Sequence, residues 1–348
     1  MDLYLEFYAE LVSSVFWKWE IDMILTRDIG IDLGTENTLI CDKKGKVIVR
    51  EPSVVAVDVK TRRVLATGNE AKVMIGRTPG SIVAIKPLKD GVIADFDMTV
   101  DMLHNFIFRS SARSAFSKTR AVISVPSGVT EVERRAVEDA VRSAGAQDVE
   151  LIEEPMAAAL GVGLPVFEAT GSMIVDIGGG TCDVAVISLG GIAARKSIKV
   201  AGNALDDAII NYMKKGHTLL IGKNTAEDIK IKIGSAMTYD GEGAMEVRGR
   251  NLTDGLPKAI EITSDEVRDI LAEQVSEIIA AIRETLEVTL PELAADIIDR
   301  GIYLTGGTSQ LRGLPELISK ETKIVVHTSE HPTDAVAIGA SVKLRRAR

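Results

Sequence analysis

The 348-residue chain is long enough for two domains of ordinary size. Its net charge of −9 argues against sequence-independent nucleic-acid binding, so no nucleic-acid partner is expected. Cys41 and Cys182 are the only cysteines, too few for a disulfide framework or a cysteine-rich zinc site.

Asp2–Trp19 has helical periodicity. Asp2, Glu6, Glu10 and Ser13 share one side, and Tyr4, Leu5, Tyr8, Leu11, Val12, Val15 and Trp19 the other. Charges at Glu6, Glu10, Lys18 and Glu20 interrupt it too often for a bilayer span. It reads as an in-plane amphipathic helix with Trp17 and Trp19 at the interface. Its acidic polar face equally suits docking on a protein surface. Arg27–Leu39 then reads as strand, tight turn, strand, and Ser53–Val59 as a strand leading into the turn-rich Thr61–Gly68. Phe106, Ile107, Phe108 and Phe116 lie near Arg109, Arg113 and Lys118 around a loop at Phe108–Lys118. Aromatics beside cations suit a lipid headgroup interface, and the plainer alternative is a core-facing helix end followed by a polar loop.

Arg120–Pro126 predicts a strand, and Glu131–Ala144 a helix with Val132, Ala136, Ala140 and Val141 on one face. Glu150–Glu153 reads as a short strand and Pro155–Leu160 as a helix start. Met173–Ile187 is a second strand-turn-strand unit, and Thr225–Lys230 is helix-like. Thr263–Leu286 predicts a long helix capped by Thr263 or Ser264 with Glu266 nearby. A strand then runs into Gly306-Gly307-Thr308-Ser309, followed by the helical Leu311–Lys320. His327 and His331 read as a surface pair, since no third ligand clusters with them. Thr333–Val342 predicts a small-residue helix through Ala335, Ala337, Gly339 and Ala340, suited to close packing at a hinge. Alternating strands and helices imply an α/β architecture.

The two strand-turn-strand units carry the chemistry. Each has an acid before its glycines: Asp32 before Gly34 and Thr35, and Asp176 before Gly178, Gly179, Gly180 and Thr181. Converging backbone N–H groups form an anion-binding concavity, and glycine lets phosphate oxygens approach. Lysine and arginine are absent from both turns, so main-chain dipoles and a magnesium ion are expected to supply the positive field. Asp32 and Asp176 are suited to orient that ion's shell, through water. One such turn alone reads equally well as an ordinary hairpin. The repetition, with the third turn at Gly306, favours a nucleotide clamp.

These turns, in this order, resemble the actin-like ATPase superfamily. Glu131–Gly161, Gly255–Ile262 and Pro291–Gly301 narrow the resemblance to the MreB/Mbl family of bacterial actin homologues, over about Thr26–Val342. The resemblance implies a duplicated actin-like (ribonuclease H-like) fold of two domains, each with a smaller subdomain, and a nucleotide in the cleft between them. It places the first domain at 26–166 plus 323–348 with an insertion at about 53–86. The second spans 167–322 with an insertion at about 204–255, and residues 1–25 stand outside both as an extension. Met23–Gly30 looks like the ordinary start of the family, so residues 1–22 are read alternatively as lying upstream of the natural start.

By the same resemblance ATP binds with Mg2+ against Gly34, Thr35, Glu36 and Asn37, against Gly178–Thr181, and against Gly306, Gly307, Thr308 and Ser309. The family's E-x-I-K maps onto Glu227, Asp228, Ile229 and Lys230; without the resemblance, Glu227 and Lys230 are a surface pair. Glu154 and Thr181 match the pair that orients the attacking water, with Glu153 the alternative to Glu154. The implied role is a filament-forming cytoskeletal ATPase with slow turnover. It would lie in the cytoplasm on the inner face of the cell membrane and organise cell-wall elongation proteins. Three positions depart from the family pattern: Glu36, Cys182 and Thr308. Glu36 would bring a carboxylate to the phosphates, so Glu36→Ala is expected to tighten ATP binding. A small-molecule kinase on the same fold, which needs an extra aspartate base not evident here, and a binding scaffold with little turnover are the alternatives.

Overall fold

The structure, a computed structural model, describes residues 26–78, 80–110 and 118–346. Trp17, Trp19 and Phe116 lie outside the described residues. Two five-stranded sheets organise the chain. In the first, Thr26–Leu33 is central. It pairs antiparallel with Asn37–Asp42, which pairs with Val47–Pro52, and parallel with Lys118–Val125, which is flanked by Asp148–Glu153. In the second, Ser172–Ile177 holds the same place. Cys182–Ser188 and Gly191–Ile198 continue the antiparallel meander, and Ile302–Thr305 and Val326–Thr328 add the parallel strands. The order is the same in both sheets, and each central strand carries one of the two turn aspartates.

Both central strands are covered on both faces, and Met173–Val175 of the second is accordingly an unbroken apolar run. Met173, Val175 and Ile177 point into a core shared with Val267 and Leu271 of the helix Ser264–Glu287 and Leu205 of Gly202–Gly216. Ile174, one step out of phase, packs with Ala157, Ala158 and Ala340 instead. Ile29 and Ile31 likewise face Met102, Leu103 and Phe106 of the helix Phe96–Arg109. On the opposite face Gly30 meets the helix Ala335–Arg346 so closely that a Cβ there would stand 2.6 Å from the Ser341 nitrogen.

That last helix also packs backbone to backbone on Glu154–Gly161. A Cβ on Gly339 would lie 1.7 Å from the Ala157 carbonyl oxygen, and one on Gly161 1.9 Å from that of Ala335. The small residues of the predicted hinge helix are therefore a packing requirement. Beside the large sheets stand two three-stranded ones. Val55–Asp58, Val64–Thr67 and Ile82–Ile85 form the first, and Leu219–Leu220, Ala244–Asn251 and Pro257–Thr263 the second.

Several local expectations need correction. In Glu131–Ser143, capped by a Thr130–Glu133 capping box, the buried face is Val137, Ala140 and Val141, and Val132 is 78% exposed. Five residues before Val137 falls about 140° around the helix, away from the sheet. Thr263 is the N-cap of Ser264–Glu287 as expected, but only half of the capping pattern forms: Glu266 accepts from the Thr263 backbone as well as from the Tyr212 hydroxyl, and the Thr263 side chain makes no capping bond. The helix after Gly306-Gly307 begins only at Leu314, behind a short 3-10 turn at Gly307–Gln310. Phe106 and Ile107 are core residues, so of the described apolar residues near the loop only Phe108 faces solvent. Arg109 pairs with the buried Glu51 at 2.8 Å. His327 and His331 are both exposed, and among the described residues no group of three candidate ligands is placed to hold a metal. No described helix is long and apolar enough to cross a membrane.

Candidate functional site

The two glycine turns face each other across a cavity of about 520 Å³. Asp32, Gly34–Asn37, Glu154, Asp176, Gly178–Thr181 and Gly306–Thr308 all contribute to its wall. The turns touch. A Cβ on Gly180 would meet the Thr35 Oγ1 at 2.5 Å, and one on Gly179 would meet the Glu36 Cγ at 2.3 Å. Side chains of the first turn thus occupy space that glycine leaves open in the second. The first turn is itself braced: Ser53 Oγ donates to the Gly34 carbonyl at 2.7 Å, and Thr35 Oγ1 accepts from the Gly91 amide at 2.9 Å. In the second, the Gly202 and Asn203 amides donate to the carbonyls of Gly178 and Gly179.

The third turn locks onto the second. Gly306 has φ +84°, and a Cβ there would fall 2.2 Å from the Ile177 carbonyl oxygen. Thr308 Oγ1 donates to the Gly178 carbonyl at 2.7 Å, so this departure from the family pattern ties two turns together. Ser309 stands off the wall: it is buried, and its hydroxyl donates to the Gly306 carbonyl. Cys182 is wholly buried in its strand and also lies off the wall.

Four carboxylates gather beneath the turns. Burial first, then the Asp176 charge, pushes Asp32 up to about 7, with a Ser124 hydroxyl at 3.4 Å opposing the shift. Burial also pushes Asp176 up to about 7, although the Thr305 hydroxyl donates to it at 2.9 Å. Glu154 is driven well above the carboxylate range by burial and by Asp183, Asp32 and Asp176. Asp183, raised by its own burial, accepts from the Ser127 amide at 3.2 Å. No lysine or arginine is hydrogen-bonded to any of the four among the described residues. Buried acids crowded without a cation make a donor set that fits a hard, oxygen-seeking ion. Asp32 and Asp176 would hold magnesium through its water shell, because direct chelation by three protein groups has no basis among the described residues.

On the other side of the cavity the helix Lys223–Ile233 brings Glu227 and Lys230 to the wall. Asp228, on the same helix, is exposed, and Ile229 points into the core, so neither reaches the cavity. Glu227 and Lys230 do not pair with each other. Lys230 Nζ is 2.7 Å from Asp206 and donates to the Gly202 carbonyl at 3.0 Å, while Glu227 meets Lys72 at 3.6 Å. Burial raises Asp206 to about 6 against the pull of Lys230. Asp206, Asn203, Gly91, Asp183 and Lys86 were all missed by motif reading. Lys86 matters most, because its ammonium pairs with the Glu36 carboxylate and brings a cation to the first turn. It lies fifty residues along the chain from Glu36, with no local pattern to announce it.

A family model described as MreB/Mbl protein matches residues 26–348. The chain belongs to the MreB/Mbl family. Among curated relatives, the cell shape-determining protein Mbl of Bacillus subtilis is 49% identical over 321 residues, covering 92% of this chain and 96% of the relative. The cell shape-determining protein MreB of Escherichia coli is 48% identical over 326 residues, covering 92% and 94%. Among solved structures, MreB5 of Spiroplasma citri bound to ADP superposes with a TM-score of 0.88 at 37% identity, covering 92% of this chain and 97% of that one. The same protein bound to AMPPNP matches equally. A MamK double helical filament, at 22% identity and a TM-score of 0.79, shares the actin-like fold.

Proposed function

We propose that this MreB/Mbl family member is a nucleotide-binding, filament-forming actin-like protein that serves bacterial cell shape. The observation that carries the reading is the pair of opposed glycine turns, each led by a buried aspartate, in a chain 37% identical to MreB5 of Spiroplasma citri, whose solved structures hold ADP and AMPPNP. The polyphosphate of ATP runs between the turns, held by backbone N–H groups of Gly34–Asn37 and Gly178–Thr181. Ribose and base lie toward Glu227, Lys230 and the Gly306–Thr308 turn. Asp32 and Asp176 would orient the water shell of a magnesium ion, which would supply charge neutralisation to the phosphates and to the crowded carboxylates.

Hydrolysis then requires an oriented water. Glu154, in its carboxylate form, takes a proton from that water as the water oxygen bonds to the γ-phosphorus. Thr181 holds the water in line, and the bond to the β–γ bridging oxygen breaks to leave ADP and phosphate. Each domain is built on one large sheet, about 26–166 plus the carboxyl end and about 167–322, with Val326–Thr328 joining the second sheet, and nucleotide state sets their relative angle by population shift. Head-to-tail contacts that do not close then give filaments. The protein works in the cytoplasm at the inner membrane face, with residues 1–25 and the loop around Phe116 as membrane contacts and cell-wall elongation proteins as partners. Sedimentation with ATP and magnesium, followed by electron microscopy of the pellet, tests the assignment. Paired filaments are expected; a chain that binds ATP yet stays in the supernatant under all conditions refutes it.

A further inference from the structure

The cations on or beside the cavity are differently committed. Arg50 is 2.6 Å from Asp334, and Arg312 donates to the Lys232 carbonyl at 2.9 Å. Lys230 has both Asp206 and the Gly202 carbonyl. Lys86 has a single hydrogen-bond partner among the described residues, Glu36, although an ammonium carries three donors. Both side chains of the pair remain partly open to solvent. Glu36 lines the cavity and lies against Gly179, which puts its carboxylate at the lip of the second turn. The Lys86 ammonium is therefore one hydrogen bond from the space between the two turns.

We infer that Lys86 is a phosphate-binding residue and that Glu36 is its placeholder: when a polyphosphate enters, the ammonium passes from carboxylate to phosphate oxygen. The inference rests on the nucleotide reading of this cleft and adds to it a side-chain cation that neither turn contains. Glu36 keeps the ammonium aimed at the cleft and offsets a charge that would otherwise attract any anion. Because the exchanged partner is itself an anion, discrimination follows phosphate charge. A triphosphate competes with the carboxylate better than a monophosphate does.

The test is a set of calorimetric dissociation constants for ATP, ADP and AMP with magnesium. It uses the full-length protein and its Glu36→Gln, Glu36→Gln/Lys86→Met and Glu36→Gln/Lys86→Arg variants. Failure of the unmodified protein to bind ATP refutes the nucleotide reading; the comparisons among variants address Lys86. Glu36→Gln is expected to tighten ATP roughly tenfold and AMP less than about twofold, since a freed unit charge near a phosphate acts at short range. Adding Lys86→Met should weaken ATP roughly tenfold from that level, again with little effect on AMP, and Lys86→Arg should keep most of the affinity. If Lys86 serves only as a structural partner of Glu36, Lys86→Met has no effect in the Glu36→Gln background, and the inference fails. Equal losses for ATP and AMP overturn it too, because they report a general disturbance of the cleft. Should the double variant with Met not fold, protection of Lys86 from amine acylation in Glu36→Gln decides: ATP should protect it and AMP should not.

Discussion

Replacing Asp176 with asparagine should stabilise the protein in the absence of nucleotide, although it removes a proposed metal-orienting group. Asp176 is buried on a central strand, and its carboxyl is pushed from an ordinary value of 3.8 up to about 7. Below about pH 4 the group is protonated in both the folded and unfolded chain, and its burial carries no ionisation penalty. As pH rises from about 4 to 7 the unfolded chain releases the proton while the folded one retains it, so stability falls. Above about pH 7 the penalty is complete. Three pKa units correspond to about 4 kcal/mol as a ceiling, and about 1–3 kcal/mol is the realistic range for a group that Thr305 still hydrogen-bonds. Asparagine keeps the shape and the acceptor oxygen without the charge. Urea unfolding of both proteins at pH 5 and pH 8, without nucleotide, measures the difference. The gain of Asp176→Asn should be larger at pH 8 than at pH 5, and magnesium with ATP should then stabilise the unmodified protein and not the variant. A gain independent of pH, or a variant less stable at pH 8, refutes the electrostatic account.

Three further outcomes are expected. Gly339→Ala should cost about 3 kcal/mol or more in urea unfolding, since its Cβ would collide with the Ala157 carbonyl, while Gly80→Ala, with open space around it, should stay within about 0.5 kcal/mol. Glu154→Gln should lower phosphate release by about a hundredfold in a coupled assay while changing the ATP dissociation constant little; comparable turnover would remove Glu154 from the chemistry. Phe116→Asp should reduce liposome pelleting without altering ATP binding, and unchanged pelleting would remove that loop as a membrane contact.

The turns were legible because their chemistry is local. A glycine run between two apolar strands with an acid in front compresses strand, positive-φ tolerance and charge into a few adjacent residues, as at Asp32–Thr35 and Asp176–Thr181. Repetition then made the duplicated sheet order readable too, since both units demand the same antiparallel pairing. Helix faces are less secure in a polar stretch: the sequence reading placed Val132 on the apolar face of Glu131–Ser143, whereas the position of the sheet selects Val137 with Ala140 and Val141.

What stayed hidden is charge brought together by tertiary folding. The turns hold no lysine or arginine of their own, and Lys86 brings an ammonium to the first of them from fifty positions away. The worry about Glu36 changes with it, because the carboxylate read as repelling phosphate is paired and packed on Gly179. Thr308 follows the same logic: an added Cβ looked intrusive, but the hydroxyl that comes with it holds Gly178. Each departure from the family pattern at the cavity wall thus has a partner that only the fold supplies. The consequence for reversion is specific. Restoring a small residue at position 36 alone would leave Lys86 without its carboxylate, so the two positions should be varied together rather than judged one at a time.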